Sequence, residues 1–107
     1  MSINIWDQKA IQAMNLARLS AQQWEVLLLL FIPWIAAGKP EPYRPKTKSR
    51  SESAAVSRML RRLEDRGFIV RIADGPSGWR TSGAMLTEGG LAFMERVTGR
   101  TRAEPKL

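Results

Sequence analysis

The chain contains no cysteine and no histidine. Disulfide staples, thiolate nucleophiles and metal sites built on sulfur or imidazole are therefore excluded. The side chain that ordinarily shuttles protons near neutrality is missing as well. Carboxylate or lysine catalysis stays chemically open, but the ten acidic residues show no clustering along the sequence. The expectation is a protein that is not an enzyme and carries no cofactor or metal. Long apolar runs are absent too. The longest, 26–37, covers about 12 residues and is interrupted by Pro33, whereas a membrane span needs about 20. It reads as a buried helix, and no membrane contact is expected. The opening residues turn polar and acidic soon after Met1, which reads as no secretory signal. A cytoplasmic location, in a prokaryotic or viral host cell and near its nucleoid, is the expectation.

What the chain does have is basic charge, unevenly placed. Seventeen Lys and Arg against ten Asp and Glu leave +7 at neutral pH. Between Lys39 and Arg71 stand ten basic residues and four acids, so this third of the chain carries +6 and the rest only +1. A basic element on a nearly neutral scaffold points to a polyanionic partner, because each phosphate it neutralises releases a counterion. Apolar residues make up 44% of the 107, enough for one packed core. A single domain over 1–98 is expected, with 99–107 as a frayed tail.

Periodicity and punctuation divide the chain into four helices and a hairpin. A first helix is expected over 4–19, capped by Asn4, with Ile11, Met14 and Leu16 at helical spacing. Ser20-Ala21-Gln22-Gln23 matches a capping box. The helix it opens, 21–32, is apolar on nearly every side, the mark of a buried centre. Pro33 is expected to end or kink it, with 34–37 as a further turn. Segment 39–48 holds Pro40, Pro42 and Pro45 and reads as a solvated loop or extended connection. Ser49 or Ser51 can then cap a helix whose apolar stripe is Val56, Met59, Leu60 and Leu63. Gly67 stands where a left-handed residue closes such a helix. Residues 68–72 are β-prone, 74–78 form a dense turn signal, and 79–86 can return as the partner strand. Thr87-Glu88 opens a last helix of about 11 residues. The fold class expected is α+β, mainly helical with a small β-hairpin, and the element order is that of a winged helix-turn-helix.

The basic helix has two chemically different sides. At about 100° per residue, Leu60 and Leu63 lie within roughly 40° of Val56, and Met59 about 60° away. Ala54, Ser57, Arg58 and Arg61 lie roughly 100–160° away, and Arg62 is on the flank. Arginine can chelate a guanine edge, serine can hydrogen-bond a base or phosphate, and an alanine methyl can touch thymine. Ser53, Ala54, Ser57 and Arg58 are therefore the candidate base-reading residues. Lys46, Lys48, Arg50, Arg61 and Arg62 are the candidate phosphate contacts, which position without specifying. An ordinary solvated helix face remains the plainer alternative. Trp24 and Trp34 read as packing residues. Trp79 can cover the hairpin or stack on a sugar or base.

The run from Ser51 to Arg71, SESAAVSRMLRRLEDRGFIVR, resembles the recognition helix and first wing strand of MarR-type transcriptional regulators. Leu86-Thr87-Glu88-Gly89-Gly90 is similar to that family's "LTxxG" entry to the helix after the wing, and Asp74 and Arg80 echo its wing positions. The resemblance covers about 51–98 well and 20–32 loosely. It implies that Arg80, with the 75–78 tip, reaches into a minor groove. It also implies a homodimer that regulates transcription by binding double-stranded DNA. Two departures stand out. The family places a short helix before the recognition helix, where this chain has three prolines, so that helix is expected to be shortened, displaced or absent. The short last helix shifts dimerisation onto the first helix, with Ile5 and Trp6. No effector pocket can be read. A winged-helix adaptor for proteins, or a non-specific nucleic-acid-binding protein of replication or partition, are the alternatives.

Overall fold

Ser20 starts the helix around which the rest is built. Its hydroxyl accepts the Gln23 amide, while the Gln23 side chain accepts the Ser20 amide, so the expected capping box is formed. In the computed structural model, which describes residues 8–74 and 80–104, this helix is the second of four. The elements are α1 (Gln8–Leu16), α2 (Ala21–Ala37), α3 (Arg50–Asp65), β1 (Ile69–Asp74), β2 (Arg80–Leu86) and α4 (Glu88–Thr98). The protein is a compact α+β fold of these helices and one antiparallel hairpin. No helix among the described residues is long and apolar enough to cross a membrane.

α2 packs against α3, α4 and β2. Trp24, Leu27, Leu28, Leu30 and Phe31 are all at most 1% exposed, as its nearly all-round apolar sequence requires. Leu60 and Leu63 of α3, Ile69 of β1, and Leu91 and Met94 of α4 complete the centre of the core. α1 lies against α4.

One expectation left open is decided here, and two others need correction. Pro33 does not end α2, which continues through the further turn 34–37 and is closed by Gly38 in the left-handed region. Proline removes the amide that would serve the carbonyl of Leu29. Leu29 is 54% exposed, so water can take that place on the outer side. The tail is not frayed over its described part. The Ala103 amide donates to the Trp34 carbonyl at 2.9 Å, and the Arg102 guanidinium reaches Glu95 at 2.7 Å and Glu88 at 3.1 Å. Residues 99–104 thus tie the end of α2 to α4, a link between distant residues that no local pattern announces. In addition, α1 stops at Leu16 rather than 19. Asn4, Ile5 and Trp6 lie outside the described residues.

The 39–48 segment is irregular, as its prolines demand, yet it contributes to the sheet. Tyr43 and Ala84 exchange two backbone hydrogen bonds of 2.9 Å, an isolated antiparallel bridge on the outer edge of β2. Half-burial of Tyr43, with Glu25 nearby, holds its phenol above the usual value. Within the hairpin, Ile69 pairs with Leu86 and Ile72 with Gly83, but Ala73 pairs with Thr81. The extra residue, Ser82, makes a bulge, which increases the local twist. Tip residues 75–78 and Trp79 lie outside the described residues.

Candidate nucleic-acid interface

α3 is positioned by a cap at one end and a turn at the other. Ser49 is the N-cap, its hydroxyl accepting the Glu52 amide at 3.1 Å. The Glu52 carboxylate accepts the Lys48 amide at 3.0 Å, one residue short of the capping-box partner. At the far end the Gly67 amide donates to Glu64 and the Phe68 amide to Leu63. With Gly67 at φ +80° this is a Schellman turn. It delivers the chain directly into β1, which packs against α3.

The side of α3 turned inward is the expected one: Val56, Met59, Leu60 and Leu63 are buried. Ser53, Ala54 and Arg58 are exposed, and Ser57 is half-buried on the flank. Lys46, Lys48, Arg50, Arg61 and Arg62 are all exposed. The candidate residues therefore share the outward side of α3 and the loop that leads into it. Arg80 is placed in β2 by its pairing with Asp74, and its side chain lies outside the described residues. No helix intervenes between α2 and α3, so the helix that would precede a recognition helix is absent.

Charge on this side is less one-signed than the sequence count implies. α3 carries four arginines against Glu52, Glu64 and Asp65. Two of those acids are engaged. Glu52 serves the Lys48 amide, and Glu64 accepts both the Arg71 amide at 3.0 Å and its guanidinium at 2.9 Å. The backbone hydrogen bond and then the guanidinium of Arg71 hold the Glu64 carboxyl below the usual range. Arg66 lies 5.0 Å over the Phe68 ring and its guanidinium approaches the Arg18 carbonyl. Arg66 and Arg71 thus already have partners within the chain. Among the described residues Lys46, Lys48, Arg50, Arg58, Arg61 and Arg62 form no ion pair.

Two concavities flank this region. A recess of about 290 Å³ lies between α3 and the start of α2, lined by Ala55, Arg58, Met59 and Arg62 on one side and Ser20, Gln22 and Gln23 on the other. An open cleft of about 650 Å³ lies between α1 and α4. Its lining includes the apolar side chains of Leu16, Phe68, Phe93 and Val97 and the two arginines Arg66 and Arg96. The two phenylalanine rings stack at 4.6 Å, and each carries one of these arginines over its face. Sequence reading missed this cleft. Its local signals are the short Arg66–Phe68 and Phe93–Arg96 spacings, and the Phe68–Phe93 contact joins separate elements. Comparison with known proteins adds no relative: no family model, curated protein or solved structure matches the chain significantly.

Proposed function

We propose that the chain is a winged-helix protein that binds double-stranded DNA, lays the outward side of α3 in a major groove and acts as a sequence-specific regulator of transcription. The observation that carries this reading is the orientation of α3. Its aliphatic stripe is buried while Ser53, Ala54, Arg58, Arg61 and Arg62 face outward. The hairpin follows α3 after three residues and packs beside it, which suits a wing reaching the neighbouring minor groove through Arg80. Small residues at 53, 54 and 57 let the helix backbone come close to base edges. Lys46, Lys48 and Arg50 approach from the preceding loop and suit phosphates. As a homodimer the protein would set two such helices one helical turn apart on a pseudo-palindrome.

The test is selection of bound duplexes from a random pool, then titration of the enriched site and an unrelated one over a salt series. A two-fold motif and a steep fall of affinity with salt are expected. Arg80→Ala should weaken sites with narrow minor grooves most. Steep salt dependence with no enriched motif would leave a non-specific nucleic-acid binder. The apolar α1–α4 cleft favours a second reading, an adaptor that docks a protein. That reading predicts shallow salt dependence and no preference for duplex DNA.

A further inference from the structure

Arg58 and Arg62 stand one turn apart on α3 and both line the recess that faces the start of α2. We infer that these two guanidiniums, with Gln22 on the opposite wall, form a seat for one backbone phosphate of the bound duplex, so that Arg58 fixes the docking position of α3 and leaves base reading to Ser53, Ala54 and Ser57. The inference rests on the DNA-binding reading and sharpens it.

Four observations lead there. First, like charges at this spacing repel each other on a helix, and no carboxylate relieves them. Asp65 follows Arg62 by three residues without forming an ion pair, and Glu52 and Glu64 are engaged elsewhere. An anion between them would remove the repulsion. Second, the recess is about 290 Å³, at the small end of the roughly 300–1,000 Å³ of pockets that hold organic ligands. Its size and polar wall suit a compact oxyanion. Third, the helical wheel separates the arginines from the serines. Arg58 and Arg62 lie about 40° apart and both line the recess toward α2, and Ser53 and Ser57 stand at roughly 100–180° from them. A helix inserted by the serine flank would bring Arg58 and Arg62 to the groove wall, where the phosphates run. Fourth, in helix-turn-helix proteins the first helix of the pair crosses the DNA backbone. No helix occupies that place in this chain, and the recess lies beside α3 with its basic wall exposed. Another element must then fix register, and an arginine pair can do so by charge-assisted, forked hydrogen bonds.

The test uses the full chain with Arg58→Ala, Arg62→Ala, the double variant and Ser57→Ala, each titrated with the enriched and an unrelated duplex over a salt series. Arg58 and Arg62 are exposed, so circular dichroism should report an unchanged fold. The seat predicts that each single arginine variant weakens both duplexes by the same factor. It also predicts that the double variant, which loses the one shared phosphate, lowers the slope of log affinity against log salt by about 0.9. The double variant should lose less than the product of the single effects, because both groups act on one phosphate. Ser57→Ala should instead change the ratio between the two duplexes. If Arg58→Ala lowers affinity for the enriched duplex alone and relaxes one base position, Arg58 reads a base and the seat is wrong, while the DNA reading stands. If the parent protein binds neither duplex, that reading falls and the seat with it. Amide shifts at Gln22, Arg58 and Arg62 on adding inorganic phosphate would then reassign the recess to the free ion.

Discussion

Arg18 and Gly67 occupy the same place in two helix ends, and they show how one residue sets local stability. Both sit in the left-handed region, at φ +56° and +80°. Each is followed by an apolar residue, Leu19 or Phe68, whose amide reaches five residues back. Only Gly67 suits this conformation, since any other L-residue there costs roughly 1–2 kcal/mol. Arg18→Gly should therefore stabilise the fold, by up to about 1 kcal/mol after the entropy of glycine in the unfolded chain. Gly67→Ala should cost about 1–2 kcal/mol, because nothing within 4 Å meets the added methyl and only the backbone objects. Gly90 differs in kind. A methyl there would run into the carbonyl of Phe68, which the β1 entry holds in place. Gly90→Ala should cost about 1–3 kcal/mol through overpacking. Urea denaturation midpoints check all three, and a destabilised Arg18→Gly would overturn the strain argument.

Among the elements, α3 and the tail each depend on contacts that can be removed singly. Ser49 rather than Ser51 is the cap of α3, so Ser49→Ala should lose about 1 kcal/mol while Ser51→Ala changes little. The tail depends on Arg102, which engages Glu95 and Glu88 and lies 5.9 Å over the Trp34 ring. Hydrogen bonds from Arg102 hold the Glu95 carboxyl below the usual range, as those from Arg71 do for Glu64. For carboxyls lowered in the folded state, the stabilisation is present above the unfolded pKa. It is lost as pH falls from there through the folded value. Acid should therefore weaken the parent below about pH 4.5, the ordinary glutamate value. A Glu64→Gln, Glu95→Gln double variant should be less stable at neutral pH and show a flatter acid limb. Thermal melts at pH 7, 5 and 3 measure this, and an unchanged acid limb would mean that neither pair contributes. Arg102→Ala should lower the melting temperature and speed amide exchange at Ala103.

At the scale of the whole molecule, the basic loop and α3 should act together on a polyanion. Replacing Lys46 and Lys48 by Ala should lower the salt slope of duplex binding by up to about 2, with the preference between enriched and unrelated duplexes unchanged. A changed preference would place one of them on a base edge.

How far the sequence reaches is clear from particular residues. Val56, Met59, Leu60 and Leu63 declared both the existence of α3 and its buried side, because a helical repeat needs no other part of the chain. Ser20 with Gln23, and Gly67, declared helix ends for the same local reason. The Tyr43–Ala84 bridge, the Ala103–Trp34 hydrogen bond and the Phe68–Phe93 stack were not legible. Each joins residues at least 25 positions apart. The sequence by itself determined which segments are helical or extended, and which side of each prefers water. Only the tertiary structure decided that helix α2 survives Pro33, that Arg71 spends its charge on Glu64, and that Arg58 and Arg62 share one recess. Those outcomes depend on which distant groups meet, and periodicity along a chain carries no information about that.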